Sequence, residues 1–478
     1  MPLRNLADAR ELFSSLRGSL VGVGMTAYSR IVPSYLLQPY HIVALRKTGD
    51  LEILRKRAEI FCLEEEIGAP VQEEGFNSAR LLSHPLSRRY LQTLPEPVSL
   101  LLYQSYPELE DLAGKEHWIL LGNPGSLRTR VGDRAFFSSL VEELHLRRIE
   151  GTFMRLDELW SHEYGFWAKR WGPGFVVQLP EVQQGGGKGT FFILTDADFR
   201  RLQRRLSSGM WRGSRLNTIS LRRHVEGTAA SLALCITRHG VLLSCLQRQL
   251  IDLPYCKGIP VNGVFCGHSW GGDSWPAHIR EGARVQGLSV GERLREMGYR
   301  GILGIDFVIE AESGSVYPVE INARFTGAFP MLSQLHMAGD LIPMDVFHML
   351  EFLGTDYDTD CTLLNAAYEG EMRGSHLLLF TLGHGRRAPK AGLRGGLYEL
   401  LPGGEDVRFV RDASDYREIT HEGQFIVIDG PPGKEIRTDD PLYRLCRILF
   451  SYPVARPDGE IRASALLAAE RIHRRMMG

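Results

Sequence analysis

Apolar residues recur at two distinct spacings along this chain. Between residues 5 and 20, Leu6, Ala9, Leu12, Phe13 and Leu16 fall three or four apart, which predicts an amphipathic opening helix. Short apolar runs follow at 41–45, 98–103 and 118–121, separated by helical patterns such as 51–63. Strands alternating with helices predict a small parallel sheet, and the turn-prone Gly122-Asn123-Pro124-Gly125 closes it, so 1–125 are expected to form a first domain. Next, Asp133 is placed to cap a helix whose buried stripe is Ala135, Phe136, Leu140, Val141 and Leu144. A strand at 174–179 leads through a glycine-rich loop into a second strand. Residues 277–297 read as a helix, and the residues beyond Pro330 through Leu350 as another. Strands at 375–382 and 425–429 and a closing helix from Arg462 predict a smaller α+β region over 356–478, leaving 126–355 as the central domain.

The densest chemistry lies in 301–334. Residues 302–309 alternate, 311–315 supply a polar turn containing Gly314, and 316–323 alternate again, which is the pattern of a hairpin. With the turn centred on Ser313, Asp306 falls opposite Glu320, and Asn322 and Arg324 share the face of Glu320. Carboxylates opposed across a strand pair repel, and flanked by Ile305, Phe307, Val319 and Ile321 they are not freely solvated. A hard divalent cation between them removes the repulsion. Magnesium takes carboxylate and amide oxygens while keeping waters and substrate phosphates as its other ligands, and Arg324 would hold a phosphoryl group beside it. The alternative is a wet hairpin face whose charges pair only with each other.

Composition narrows the classes. At 478 residues the chain exceeds one ordinary core, so two or three domains are expected. Apolar residues are 44%, charged residues 24% and net charge is −1, which gives no general field for a nucleic acid or an anionic membrane. Seven scattered cysteines without a C-x-x-C pair suggest reduced thiols and a cytoplasmic protein rather than a disulfide frame or a zinc site. The apolar stretch 20–25 is too short to span a bilayer, and no signal peptide is apparent. Gly185, Gly186, Gly187 and Lys188 form a loop whose amides can wrap a phosphate while the lysine adds charge. The spacing is not that of a Walker loop, and a strand rather than a helix follows. Residues 252–275, rich in glycine and aromatics and poor in periodicity, read as a substrate lid. Its polar candidates are Lys257, His268 and Asp273, with Trp270 as a wall; His268 as catalytic base competes with His268 as a plain loop histidine.

The stretches GIDFVI and YPVEINARFTG resemble the metal-binding end of the ATP-grasp superfamily, where an acid on one strand and E-x-N-x-R on the next hold magnesium and the ATP phosphates. The resemblance implies an α/β chain of ATP-grasp fold. It would have a Rossmann-like first domain, a central domain of two α+β subdomains holding ATP between them, and a small C-terminal α+β domain of biotin-carboxylase-like type. It implies ATP with Mg²⁺ or Mn²⁺, metal ligands Asp306, Glu320 and Asn322, catalytic charges Arg324 and Lys188, and Gly185, Gly186 and Gly187 over the phosphates. The helix after Asp133 resembles the family's helix that opens the ATP-binding domain, with Arg134 where a lysine is common, and Gln178 stands where a strand usually ends in an ATP-contacting lysine. Residues 217–234 resemble the hinge and strand around adenine. Arg222, Arg223, His224 and Val225 would then supply backbone groups, and Glu226 would stand in for a ribose-binding acid, since Ala229 and Ala230 occupy its usual neighbourhood. The implied activity is ATP-dependent ligation of a carboxylate to an amine through an acyl phosphate. The partners would be small acids and amines, such as amino acids or peptides, with neither nucleic acid nor membrane, and a homodimer is allowed. Two other readings are a biotin-carboxylase-like carboxylating enzyme and an ATP-binding regulatory module without catalysis.

Overall fold

The computed structural model describes residues 2–71, 76–179, 189–211, 214–256, 263–272, 275–381, 392–432 and 444–477. The opening helix, Leu6–Ser14, starts where the Asn5 side chain accepts from the amides of Ala7 and Asp8. A five-stranded parallel sheet follows, in the order Glu59–Cys62, His41–Ala44, Ser19–Gly24, Val98–Leu101, Ile119–Leu121. The chain runs outward from the middle strand on one side and then on the other. Ser19–Gly24 and Val98–Leu101 therefore flank a topological switch point, where ligands commonly sit beyond the strand ends. Two of these strands depart from the sequence pattern. Ser19–Gly24 is buried at every position and so shows no alternation. A Cβ on its Gly22 would come within 2.3 Å of the Tyr40 hydroxyl, so glycine there serves close packing. The helix predicted over 51–63 stops after Leu51–Leu54, and Glu59–Cys62 leaves it as the sheet's edge strand.

A four-stranded antiparallel sheet comprises Gly151–Arg155, Thr218–Arg223, Phe175–Gln178 and Thr190–Ile193 in that order. Helices Tyr164–Trp171 and Asp196–Arg205 cover its core of Phe175, Val177, Ile219 and Leu221. The chain then crosses into the largest sheet, eleven-stranded among the described residues. Its path is Val316–Asn322, Gly301–Glu310, Gly227–Thr237, Gln247–Ile251, Phe265–Trp270, Gly374–Phe380, Arg444–Phe450, Gln424–Ile428, Gly396–Leu400 and Val407–Arg411. Gly240–Leu243 pairs off the Gly227–Thr237 strand. The sheet thus runs without interruption across residue 356, joining the C-terminal strands to the central ones through Phe265–Trp270 and Gly374–Phe380.

Helix Ala277–Glu296 packs on the end of that sheet formed by the Asp306/Glu320 hairpin, in one core with Ile305, Phe307 and Ile321. The single helix read beyond Pro330 is two, Phe329–Ala338 and Met344–Leu353. The break falls at Gly339-Asp340, where Asp340 takes a positive φ of 56°. Phe329–Ala338 is buried from Phe329 to Met337, in a core shared with Tyr28 and with Ile42 and Leu101 of the first sheet. The closing helix, Ala463–Met477, buries Ala468, Ala469 and Ile472 against the C-terminal strands.

Candidate active site

Antiparallel pairing of Gly301–Glu310 with Val316–Asn322 sets Ile305 against Ile321 and Asp306 against Glu320. The next pair is Phe307 with Pro318, leaving Val319 as an extra residue beside Glu320. On its other edge Asp306 pairs with Ser231, so the carboxylate strand is interior to the sheet. Asp306 keeps some exposure as a residue, but its carboxyl group sits deep: Oδ1 accepts from Gln249 Nε2 at 2.8 Å and Oδ2 from Asn322 Nδ2 at 2.9 Å. Burial, then the neighbouring Glu320 charge, push its pKa up to about 8, against the opposing pull of Arg324 and Asn322. The Asn322 carbonyl oxygen accepts from Arg324 Nη2 at 2.8 Å. Arg324 Nη1 donates to the Tyr103 hydroxyl at 2.7 Å and to the Phe325 carbonyl at 3.1 Å. One hydrogen-bonded file therefore links Gln249, Asp306, Asn322, Arg324 and Tyr103, from the sheet interior to the end of a first-sheet strand.

Glu320 is held from across the cleft. Arg134, the first residue of helix Arg134–Glu143, donates Nη2 to it at 2.9 Å, while Arg134 Nη1 is buried without a partner. That helix begins where Asp133 Oδ1 accepts from the Phe136 amide at 2.8 Å. Its core side is Phe137, Leu140 and Val141, with Ala135 turned to solvent. From the four-stranded sheet, Ser220 pairs with Gln178, and Arg222 Nε donates to the Ser220 hydroxyl at 3.2 Å. Burial, then the nearby Arg134 charge, push Arg222 down to about 10, with Glu320 opposing. Gln178 donates to the Thr190 hydroxyl at 3.3 Å and leaves a buried carbonyl oxygen unpartnered. Arg134 and Arg222 thus come into each other's field beside Glu320, between two sheets, with Gln178 two strand positions from Arg222.

Other sequence candidates lie apart. Arg223 is paired with Glu310 at 3.2 Å. The His224 amide donates to the Gly174 carbonyl and the Glu226 carbonyl accepts from Ala311, while the Glu226 side chain is exposed. Val225 is buried, and its backbone makes no backbone hydrogen bond among the described residues. His268 is not on a lid: Phe265–Trp270 is an interior strand, and His268 is 3% exposed. Its Nδ1 meets His376 Nε2 at 3.0 Å and its Nε2 meets the Ser231 hydroxyl at 3.4 Å. Burial first, and the Arg447 charge second, press it down to about 3, so it is a neutral interior histidine rather than a base facing substrate. Gly185, Gly186, Gly187, Lys188, Lys257 and Asp273 lie outside the described residues. The structure adds Gln249 and Tyr103, which the sequence reading missed. Tyr103 had a positional signal, since it follows a parallel strand at the switch point.

The donor set suits a hard divalent ion. Two carboxyl groups oppose each other, Asn322 turns its amide nitrogen to Asp306 and its amide oxygen to Arg324, one carboxyl is pushed toward protonation by its surroundings, and Arg134 Nη1 is buried without a partner beside Glu320. Among the described residues no group of three or more His, Cys, Asp or Glu forms, so a softer or all-protein metal cage has no counterpart.

Comparison with known proteins gives the same reading of the fold. The profile of the ATP-grasp domain matches residues 187–328. A curated protein of Niallia circulans, named [butirosin acyl-carrier protein]–L-glutamate ligase, is 31% identical over 157 residues. That match covers 32% of this chain and spans about a third, 34%, of the relative. Among solved structures, the biotin carboxylase domain of 2-oxoglutarate carboxylase from Hydrogenobacter thermophilus, in complex with MgADP, ADP and bicarbonate, is 13% identical. It superposes with a TM-score of 0.57 over 92% of this chain and 87% of its own. Carboxyaminoimidazole ribonucleotide synthase from Aspergillus clavatus, complexed with ATP, is 11% identical, with a TM-score of 0.54 over 96% and 99%. Phosphoribosylamine–glycine ligase from Thermotoga maritima is 12% identical, with a TM-score of 0.53 over 95% and 96%. Residues 187–328, which include the paired acids, the amide and the arginine of the hairpin, thus match an ATP-grasp domain, and the whole chain shares its fold with these structures.

Proposed function

We propose that the protein is an ATP-dependent ligase joining a carboxylic acid to an amine, with release of ADP and phosphate. The observation that carries the reading is the opposition of Asp306 and Glu320 beside Asn322 and Arg324, with Arg134 facing them across the cleft. The domain match and the ligase relative support it, and that relative's name suggests an acidic amino acid such as L-glutamate as the acid. A carrier-borne acceptor is a natural extension of the same chemistry.

Carboxylates attack the γ-phosphorus of ATP poorly because anion meets anion, so the chain must neutralise and align the two. Asp306, Glu320 and Asn322 would hold Mg²⁺, which supplies charge neutralisation at the phosphates. Arg324, fixed by Tyr103, Phe325 and Asn322, presents its guanidinium to the transferring phosphoryl group, and Arg134 and Arg222 add positive charge along the cleft wall. The backbone of Val225 is free to meet the base edge. An oxygen of the acid displaces ADP at phosphorus to give an acyl phosphate. The amine nitrogen then attacks the acyl carbon, phosphate leaves, and the nitrogen sheds its proton. With His268 buried and neutral, no histidine of this strand serves as base, so the amine must arrive uncharged.

A phosphate-release screen over paired acids and amines, followed by mass analysis of the product, tests the proposal. A product equal to acid plus amine less water is expected. MgATP binding without acid-dependent phosphate release across the panel would leave a nucleotide-binding module instead.

A further inference from the structure

A shallow, solvent-open recess, whose roughly 290 Å³ of empty space includes open solvent, lies where the first sheet's strand ends meet the loop after the Asp306/Glu320 hairpin. Tyr103, Gln104 and Ser105 form its floor, following Val98–Leu101, and Asn123 follows Ile119–Leu121. Arg324 comes from the hairpin side and Arg128 from the short helix Gly125–Val131. Most polar groups here are already used by the protein. Asn123 donates to the Arg300 carbonyl at 2.6 Å and accepts its amide at 2.9 Å. Gln104 donates to the Tyr106 hydroxyl at 2.5 Å, and the Tyr299 hydroxyl donates to the Ile302 carbonyl at 2.9 Å.

The two guanidiniums differ. Among the described residues neither Arg128 nor Arg324 pairs with a carboxylate, whereas Arg134, Arg223 and Arg300 around them each face a glutamate. Arg128 donates Nη2 to the Thr129 hydroxyl at 3.2 Å and rests 5.8 Å from the Tyr106 ring centre, but its Nε is buried with no acceptor. Burial lowers its pKa, Tyr106 opposes that, and the like charge of Arg324 adds to the lowering. A buried, unspent guanidinium donor beside a second cation is a costly arrangement unless an anion is its intended partner.

Arg324 is tied through Asn322 to the metal side of the site and so serves the reacting end of an acid. An acid with only that end would leave Arg128 without a charge partner. We propose that this pocket seats the acid substrate and that the acid carries a second carboxylate, which Arg128 holds. The substrate class is then a small dicarboxylate of the size of an acidic amino acid. This deepens the ligase reading and rests on it for the phrase "acid substrate", but the pocket's preference for two carboxylates is measurable without turnover.

The test is calorimetric binding of L-glutamate, glutarate and L-glutamine to the full nucleotide-free chain, with MgATP affinity and phosphate release measured separately. Wild type is expected to bind the two dicarboxylates about 10- to 100-fold more tightly than L-glutamine, the worth of one charge-assisted contact in a partly desolvated site. Arg128→Gln should erase that preference while leaving MgATP affinity within about twofold, and Arg128→Lys should retain part of it. Equal binding of L-glutamate and L-glutamine, no binding of either dicarboxylate, or undiminished discrimination in Arg128→Gln would each overturn the proposal. If Arg128→Gln melts early, Arg128→Lys decides by the same comparison. Dicarboxylate binding without phosphate release would sink the ligase reading alone, and turnover without discrimination would sink the second-carboxylate pocket alone.

Discussion

Asp306 binds its proton far more tightly in the folded chain than the ordinary carboxylate value of 3.8, because burial and Glu320 raise it to about 8. A raised folded-state value means that the stabilisation is complete below about pH 4 and is lost as pH climbs through about 8. Asp50, pushed to about 7 by burial and by Asp429, acts with the same sign. Unfolding free energy measured in urea should therefore fall from pH 5 to pH 8.5, by up to about 1.4 kcal/mol per pH unit for each group titrating. Asp306→Asn should flatten that slope without removing it, and MgATP should restore stability at pH 8.5 in wild type but not in Asp306→Asn. Glu320→Gln is expected to abolish acid-dependent phosphate release with an unchanged melting temperature, since Glu320 is a third exposed and contacts Arg134 rather than the core. Near-normal turnover in that variant would remove the metal assignment. At this scale much of the site was legible: the alternation through 316–322 forces Glu320 and Asn322 onto one face. Gln249 was not, because its contact with Asp306 depends on which strand pairs two places away, and nothing in a local pattern specifies that.

The hairpin is also the element whose register could be read from sequence. A polar turn of known length between two alternating runs limits the pairing, and the Val319 bulge, lying between the turn and the acids, is what brings Asp306 opposite Glu320. Strands buried on both faces gave no such signal. Ser19–Gly24 hides its period, and Phe265–Trp270 was obscured by glycines and aromatics that suggest mobility. At Gly267, φ is +144° and a Cβ would stand 1.9 Å from the His376 carbonyl oxygen, so glycine there permits close strand pairing. The crossing from the small sheet into the large one uses glycine in the same way. A methyl at Gly227 would meet the Ile309 carbonyl oxygen at 2.0 Å, at the first residue paired with the Asp306 strand. Gly227→Ala should destabilise the protein by about 1–3 kcal/mol through strand displacement. It should also weaken MgATP binding, because the displaced strand backs Asp306, the proposed metal ligand; a variant with unchanged denaturation midpoint and nucleotide affinity would contradict this.

Across the whole molecule a buried polar line joins the strand beside Asp306 to the C-terminal strands. Gln247 donates to Ser231 at 2.9 Å, Ser231 meets His268, His268 meets His376, and His376 meets Arg447 Nη1 at 3.3 Å. Arg447 also donates to the Gly327 carbonyl at 3.0 Å, in the loop that carries Arg324, and its Nε lies 3.6 Å from Asp429. Asp429 in turn faces Asp50 of the first sheet's loops, so three parts of the chain share one enclosed set of charges. Removing Arg447 leaves Asp429, beside Asp50, with Arg444 at 3.4 Å as its remaining charge partner, and Arg447→Ala should cost about 3 kcal/mol in urea unfolding, whereas Arg447→Met with Asp429→Leu should cost much less than the two single changes summed. None of this was visible in the sequence. The partners are distant along the chain, and the expectation of a C-terminal region over 356–478 came from its own strands and closing helix, which say nothing of the strands they pair with across residue 356.

The pairing of Phe265–Trp270 with Gly374–Phe380 has a practical side. A protein shortened at a glance-plausible boundary near residue 356 would lose the second of those strands. The first would then present a bare row of amides and carbonyls along a six-residue strand that is otherwise buried, ready to pair with another open edge in solution. Such a fragment should precipitate or self-associate on expression, and efforts to isolate a minimal nucleotide-binding piece would do better to keep everything through Met477.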